Sequence, residues 1–330
     1  MKRAAILLAA LLLVACRQPA RDPSGSAVQT FRKPSAEFTD VPVPTMIPDA
    51  TATEETVTLV SAGITPAPKQ MPVPTAKPFS DKFPDEPVFG ERSYQSSAMN
   101  VTVKTCTVRD TYAKIASYHV ADIYVKDATS IRTAAAEGDF GMRYEKSVKD
   151  IAQSVGALLA IDGDTYTRVK NSFVIRNGVL YRDTPIENTD ICVLYRDGRM
   201  ETKAWGTFDV QEIIDADPWQ VWGFGPALLD ENGHAMEITH ALSGHNPRAA
   251  IGYYEPGHYC FVIVDGRDHD WSEGMRLSAL SRLMEDLGCK AAYNLDGGDS
   301  AQMYWNGGII SKSRNESRVI SDIIYLLPEP

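Results

Sequence analysis

The sequence has no block of Lys and Arg residues beyond its first three positions, and acidic residues outnumber basic ones. Its 33 Lys and Arg against 43 Asp and Glu give a formal charge of −10. A protein that binds the phosphate backbone of DNA or RNA needs a basic surface that displaces counterions. The charge balance therefore predicts that nucleic acid is not a partner.

Several catalytic and metal-binding signatures are also missing. No two cysteines have C-x-x-C spacing, no histidines have H-E-x-x-H spacing, and Ser300 is not in a G-x-S-x-G segment. These absences argue against a zinc site of Cys ligands, a zincin-type protease and an α/β-hydrolase. Apolar residues make up 44 % of the chain, which is enough to bury a core and excludes collagen-like, coiled-coil and wholly disordered proteins.

The N-terminus has the pattern of a bacterial lipoprotein signal. Met1-Lys2-Arg3 is followed by an apolar run from Ala4 to Ala15, whose twelve residues are too few to span a bilayer. The run ends at Cys16, and the segment Leu13–Cys16 resembles a lipobox. We expect residues 1–16 to be a signal segment, Cys16 to carry the lipid, and the protein to be extracytoplasmic and anchored to the membrane.

Residues 17–89 are rich in Pro, Thr, Ala and Ser, and prolines interrupt any helical or strand period. Such a segment buries too little apolar surface to fold, so we expect an extended tether before a domain over residues 90–330. No protein partner is evident.

Four cysteines remain after Cys16, and the sequence leaves open whether they form two disulfides or stay as buried thiols. They are Cys106, Cys192, Cys260 and Cys289.

The folded part has more strand signals than helix signals. Asn177-Gly178, Asp197-Gly198, Pro256-Gly257 and Asn306-Gly307 each separate two apolar runs, which predicts four hairpins. Three helices are predicted, beginning near Ser147, Asp209 and Leu277; the last has an apolar stripe and ends before Gly288. The sequence predicts an α+β fold with a mixed, largely antiparallel sheet and a few packed helices.

Asp-Gly elements follow three predicted strands, at Asp162-Gly163, Asp265-Gly266 and Asp296-Gly297. Loops at strand ends commonly form one cleft, and carboxylates suit an oxocarbenium-like transition state. Consecutive glycines turn backbone N–H groups toward anions, and arginines bind phosphate with two parallel hydrogen bonds. Asp-Gly is also ordinary turn chemistry, so a structural role stays open for each aspartate. We interpret Asp268-His269-Asp270 as a loop whose side chains are solvated, and a metal site there is the less favoured alternative.

Ordered motifs in the C-terminal two thirds resemble those of the phosphodiester glycosidase family. The segment Asn294-Leu295-Asp296-Gly297-Gly298-Asp299-Ser300 resembles the N-L-D-G-G-x-S motif of that family. Further similar segments occur in the family's order at residues 160–164, 223–228, 246–252 and 264–267, and the resemblance covers about residues 118–327.

The resemblance implies hydrolysis of a sugar 1-phosphodiester in a surface polysaccharide or glycoconjugate, with no required cofactor. The implied catalytic residues are Asp296, Asp162 and Asp265. The implied substrate-binding residues are Arg248, Arg267, Asn294, Gly297, Gly298, Ser300, Gly163 and Asn246. Two acidic residues depart from the family pattern: Asp162 stands where Asn is typical, and Asp299 where Gly or Gln is common. A divalent metal held by the added carboxylates, a metal-dependent phosphodiesterase and a polysaccharide-binding lipoprotein without activity remain as alternatives.

Overall fold

The computed structural model describes residues 79–109, 114–136, 138, 140, 146–169, 171–239 and 243–329. The expected signal segment, Cys16 and residues 17–78 of the expected tether lie outside these residues. Residues 79–89 are described and are structured: Ser80–Lys82 form a short 3-10 helix, and Val88–Phe89 form a strand. Folded structure therefore begins before residue 90.

The described residues contain strands β1–β19 and α-helices α1–α3. The helices are α1 (Val148–Ser154), α2 (Val210–Asp215) and α3 (Leu277–Asp286). The strands are β1 (Val88–Phe89), β2 (Ser93–Gln95), β3 (Met99–Arg109), β4 (Ile115–Val125), β5 (Arg132–Ala135), β6 (Lys146–Ser147), β7 (Leu159–Asp162), β8 (Phe173–Arg176), β9 (Val179–Asp183), β10 (Ile191–Tyr195), β11 (Met200–Lys203), β12 (Pro218–Trp222), β13 (Arg248–Glu255), β14 (His258–Val264), β15 (Ala291–Asn294), β16 (Met303–Trp305), β17 (Gly308–Ile309), β18 (Val319–Ile320) and β19 (Asp322–Leu326).

The strands form three main sheets in which paired strands run antiparallel. A seven-stranded sheet has the order β1-β2-β3-β4-β14-β13-β15, and two five-stranded sheets have the orders β11-β10-β12-β8-β9 and β17-β16-β7-β19-β5. β6 and β18 form a separate two-stranded pair. This arrangement confirms the predicted α+β fold with largely antiparallel sheets.

All four predicted hairpins are present, because each turn dipeptide contains residues that accept a positive φ. In the turn from β8 to β9, Asn177 has φ 52° and Gly178 has φ 76°. These values suit a two-residue turn whose twist matches that of the flanking strands. The equivalent turns join β10 to β11, β13 to β14 and β16 to β17.

Strand β14 of the seven-stranded sheet is buried on both faces. Alternate residues of β14 enter two different apolar clusters, Tyr259, Phe261 and Ile263 on one face and Cys260, Val262 and Val264 on the other. The first cluster also contains residues of β7, β16 and β19 from one five-stranded sheet and of β10 and β12 from the other, so one face packs against both of these sheets. α3 covers the other face. Burial on both faces explains why this strand is a continuous apolar run in the sequence.

The three helices begin where the sequence predicts. Ser147 caps α1 in a capping box with Asp150, and Asp209 accepts hydrogen bonds from the first N–H groups of α2. α3 ends just before Gly288, which has φ 84° and so terminates the helix without strain. Among the described residues, no helix is long and apolar enough to cross a membrane.

Candidate active site

Four loops meet at one edge of the fold because of strand register. Arg248 opens β13 opposite Val264 at the end of β14, and Asn294 at the end of β15 pairs with Ala250 of β13. The loop after β7 joins them, since the N–H of Asp296 donates to the carbonyl of Gly163 at 3.0 Å. The antiparallel pairing therefore brings together Gly163 and Asp296, which are 133 residues apart in the sequence.

A cavity of about 400 Å³ opens at this edge. Seven of the predicted site residues line it: Asn246, Arg248, Arg267, Asn294, Asp296, Gly297 and Gly298. Four predicted residues do not: Asp162, Gly163, Asp265 and Ser300. The cavity carries cationic, anionic and amide groups together, which is the chemistry needed for a charged, hydroxyl-rich ligand.

Asp296 lines the cavity and is its candidate catalytic carboxylate. It accepts a hydrogen bond from the N–H of Gly297 at 3.0 Å and another from the side chain of Ser300. Burial raises the pKa of Asp296, while the Ser300 bond and the positive charges of Arg168 and Arg318 oppose that rise. The result is a carboxylate that is more basic than an ordinary Asp and is held in one orientation.

Two guanidinium groups face the cavity with Asp296. Arg248 is 5 % exposed and donates through Nε to the carbonyl of Met275 at 3.0 Å, which fixes its direction. Burial, together with the positive charge of Arg267, lowers the pKa of Arg248 to about 10. Two cations that repel each other in a shared cavity favour an anionic ligand between them.

Asn294 lines the cavity with a side-chain amide of fixed orientation. Its Nδ2 donates to the carbonyl of Gly225 at 2.7 Å, which sets the orientation of the amide. Its Oδ1 is buried and has no hydrogen-bond partner in the described part of the protein. A buried acceptor without a partner costs free energy, so this oxygen is suited to a hydroxyl or N–H of a ligand.

The two glycines after Asp296 do not act as the predicted anion nest. The N–H of Gly297 donates to Asp296, and the N–H of Gly298 donates to the carbonyl of Pro247 at 3.0 Å. Both amides are therefore already used within the protein. Glycine is needed here for space, because a Cβ on Gly297 would lie 2.9 Å from the Pro247 oxygen and one on Gly298 would lie 3.2 Å from Arg267.

Asp162 lies behind the cavity and not in it. Its Oδ1 accepts from the N–H of Gln302 at 3.2 Å, and its Oδ2 is buried without a hydrogen-bond partner among the described residues. Burial raises the pKa of Asp162 well above its ordinary value, and the negative charge of Asp296 raises it further. A neutral carboxylic acid has nearly the shape and charge of Asn, the residue that resemblance led us to expect at this position.

Asp265, the third carboxylate predicted to be catalytic, lies outside the cavity lining and takes part in a buried hydrogen-bond network. Its Oδ2 accepts from Nε2 of His119 at 3.1 Å and from Nε1 of Trp271 at 2.7 Å. Its Oδ1 accepts from the N–H of Lys312 at 2.8 Å. Both oxygens are used and the residue is buried outside the cavity, so Asp265 holds neighbouring loops together.

Asp299 and Asp164, two further acidic residues near the site, are paired with arginines. Asp299 accepts from Arg267 at 2.9 Å, and Arg267 also donates to Asn246 at 3.2 Å. Asp164 binds Arg176 at 2.8 Å in a fully buried ion pair that also includes Asp322. Asp299, one of the two acidic residues that depart from the family pattern, therefore has its charge balanced by Arg267.

One wall of the cavity was not predicted. It consists of Asn188, Thr189 and Asp190 before β10, together with Phe224, Gly225, Pro226 and Leu277. Asp190 organises this wall by accepting from the N–H groups of Trp205 and Ala227, each at 3.0 Å. The Gly223–Leu228 motif was a signal for part of it, whereas nothing in the local pattern marks residues 188–190.

The described residues contain no group of three or more His, Cys, Asp or Glu side chains placed to share a metal ion. In the Asp268-His269-Asp270 segment, Oδ1 of Asp268 accepts from the N–H groups of Asp270 and Trp271. His269 is highly exposed and lies 3.4 Å from Glu273. The segment is a turn whose first carboxylate is bound to its own backbone.

Comparison with known families gives a direct match. The family model described as phosphodiester glycosidase matches residues 155–327, more than half of the chain. The chain belongs to the phosphodiester glycosidase family. This membership identifies the protein as a hydrolase of sugar phosphodiesters and confirms the resemblance seen in the sequence motifs. No curated protein matches the chain.

Solved structures support the fold. The catalytic domain of zebrafish N-acetylglucosamine-1-phosphodiester alpha-N-acetylglucosaminidase, auto-inhibited by its pro-peptide, matches with a TM-score of 0.56 and 21 % identity. That match covers 71 % of this chain and 85 % of the zebrafish chain. A hypothetical protein from Synechocystis matches with a TM-score of 0.55 and 14 % identity, covering 70 % of this chain and 62 % of the other. At these identities the likeness is one of fold.

Proposed function

We propose that this phosphodiester glycosidase cleaves the bond between an anomeric carbon and a phosphate oxygen in the described cavity. The observation that carries the proposal is the placement of one basic carboxylate, Asp296, and two guanidinium groups, Arg248 and Arg267, around the same space. Sugar and phosphate each find a matching group there. Asn294 supplies an acceptor for a sugar hydroxyl or N–H, and the arginines supply donors for phosphate.

Asp296 acts as the general base in the proposed step. It takes a proton from a water molecule, whose oxygen forms a bond to the anomeric carbon while the bond from that carbon to the phosphate oxygen breaks. The electron pair of the broken bond leaves with the phosphomonoester. The negative charge of Asp296 also favours the oxocarbenium-like transition state.

Arg248 and Arg267 stabilise the charge that develops on the departing phosphate. A phosphate is a weakly basic leaving group, so its departure needs little help from a general acid. A second catalytic carboxylate is therefore not needed. Asp190, the other carboxylate that lines the cavity, instead accepts hydrogen bonds from two backbone N–H groups. The proposal assigns one carboxylate and two cations to the reaction.

The substrate is proposed to be a sugar 1-phosphodiester of a surface polysaccharide or glycoconjugate. The support is the N-terminal pattern, in which a positive start and a short apolar run precede Cys16. A lipid on Cys16 would anchor the enzyme at an extracytoplasmic membrane surface, with residues 17–78 as the spacer. Cell fractionation of the wild-type chain beside a Cys16→Ala variant tests this: the wild type is expected in the membrane fraction and the variant in the soluble fraction.

A panel of sugar 1-phosphodiesters tests the activity itself. We expect release of free sugar together with a phosphomonoester, unchanged by a chelator. Loss of turnover on chelation would favour the metal-dependent phosphodiesterase, and saccharide binding without turnover of any substrate would favour a binding lipoprotein. Neutral glycosides of the same sugars serve as the matched substrates that lack the charge read by the two arginines.

A further inference from the structure

Two cysteine thiols face each other beneath α3. Sγ of Cys260 in β14 lies 3.7 Å from Sγ of Cys289, which lies between α3 and β15. Both residues are buried, and both belong to the apolar cluster between α3 and the seven-stranded sheet. Cys192 lies in a different cluster, and Cys106 is half-buried in β3, where it packs against the border of the same cluster as Cys260 and Cys289. The fold therefore singles out one pairing from the three that the sequence left open.

The sheet leaves space for these two sulfur atoms. Gly252 in β13 is the direct cross-strand partner of Cys260. A Cβ on Gly252 would lie 2.7 Å from Sγ of Cys260 and 2.7 Å from Sγ of Cys289. Any larger residue would collide with both sulfurs, so glycine at this position keeps the two thiols together.

Tyr254 lies beside the two thiols. Its side chain hydrogen-bonds with both Cys260 and Cys289, and burial is the main cause that raises the pKa of Tyr254. The Cys289 contact and burial likewise raise the pKa of Cys260 well above its ordinary value. A buried thiol with a raised pKa exchanges slowly, because the thiolate is the reactive form. Any covalent bond between the two sulfurs therefore forms as the protein folds and then resists reduction.

We propose that Cys260 and Cys289 form a disulfide bond in the mature protein. The proposal rests on the export that is part of the proposed function, since disulfides persist in oxidising compartments. The two S–H bonds break and one S–S bond forms. The two protons go to solvent, and the two electrons pass to a thiol–disulfide oxidant such as an oxidised dithiol enzyme or oxidised glutathione. The sulfurs must approach by about 1.7 Å to reach bonding distance.

The bond would restrain the strand that leads into the active site. It joins residues 29 positions apart and encloses α3, so it restricts the unfolded chain and secures the end of that helix. Cys289 lies just before β15, whose last residue is Asn294 and whose following loop holds Asp296. The link therefore ties the strand that leads into the cavity to the centre of the seven-stranded sheet.

Peptide mapping tests the bond directly. The full chain is isolated from cells that export it, with all free thiols blocked in denaturant at lysis, and digested without reductant. We expect one linked pair of peptides, containing Cys260 and Cys289, that separates on reduction. Cys106→Ala is the matched control and is expected to retain the link, whereas Cys260→Ala is expected to lose it. Recovery of both cysteines in the blocked form, or of either one linked to a different cysteine, overturns the proposal.

Thermal unfolding gives a second readout that does not depend on the variants. Protein folded with oxidised and reduced glutathione is expected to unfold roughly 5 to 15 °C above protein folded with dithiothreitol. Equal unfolding temperatures in the two preparations overturn the proposal. A link found only after folding in vitro, and not in protein isolated from cells, also overturns it. Glycosidase activity is measured separately, so either failure leaves the assignment of the reaction untouched.

Discussion

Replacement of Arg248 by Met removes one of the two cations that the account assigns to phosphate. The side chain lines the cavity and is almost fully buried, so its hydrogen bonds to a ligand are made away from water. A hydrogen bond between charged groups contributes about 1.5–3 kcal/mol. Loss of one such bond in the transition state therefore lowers kcat/KM for a sugar 1-phosphodiester by about 10- to 150-fold.

The assay compares two substrates that share the sugar. One is the 1-phosphodiester, and the other is a neutral aryl glycoside with a good leaving group. We expect the Arg248→Met loss on the phosphodiester alone, together with weaker inhibition by inorganic phosphate. Arg282→Met, an exposed change on α3, is the matched control. Equal losses on both substrates would refute the phosphate role and leave Arg248 as a residue that merely supports Met275 through its Nε bond.

Three further predictions concern pH, stability and loop geometry. Because the ionised form of Asp296 is active and burial raises its pKa, kcat/KM is expected to fall on acidification at a pH above the ordinary Asp range. Ser300→Ala removes a hydrogen bond that lowers this pKa, so the acidic side of the pH–rate profile is expected to move to higher pH. A profile that does not move would contradict the assignment of Asp296 as the base. Arg176→Met breaks two buried ion pairs and is expected to lower the free energy of unfolding by about 3–5 kcal/mol in urea titrations. The exposed change Arg282→Met is expected to cost less than about 1 kcal/mol, and similar costs for the two would refute the argument. Gly297→Ala places a Cβ 2.9 Å from the backbone carbonyl oxygen of Pro247, so the loop must shift and turnover is expected to fall; turnover equal to that of the wild type would contradict this argument.

The local elements were predictable because their determinants are local. Asn177-Gly178 predicts a hairpin, since both residues tolerate the positive φ that the turn requires. The apolar stripe of Leu277, Leu280 and Met284 predicts a helix packed on a sheet, and Gly288 predicts its end. Such signals depend on a few neighbouring residues and need no knowledge of the remaining chain.

The roles of the aspartates were not predictable in the same way. Asp162, Asp265 and Asp296 look alike in sequence, because each lies at the end of an apolar, strand-like run or just after it and precedes glycine. The structure separates them by burial and by partners that lie far away in the chain. Asp265 is bound by His119, 146 residues away, whereas Asp296 faces the cavity. Long-range contacts thus decide which carboxylate is available for chemistry.

The unpredicted cavity wall has the same explanation. Residues 188–190 form a short loop with no distinctive motif, and their place in the cavity depends on the bonds that Asp190 makes to Trp205 and Ala227. The glycine pair after Asp296 shows the reverse case. Its motif predicted an anion nest, yet Pro247 and Asp296 take up both N–H groups.

Hydrolysis of a sugar 1-phosphodiester in ¹⁸O-labelled water, by the wild type and by Asp296→Asn, shows whether the carbon–oxygen or the phosphorus–oxygen bond is cleaved and whether Asp296 is needed. We expect label in the released sugar, because water attacks the anomeric carbon, and a loss of about 10²- to 10⁴-fold in kcat for the variant. Asp286→Asn, an exposed change in α3, is expected to keep wild-type turnover. Label in the phosphate, or undiminished turnover by Asp296→Asn, would contradict the account.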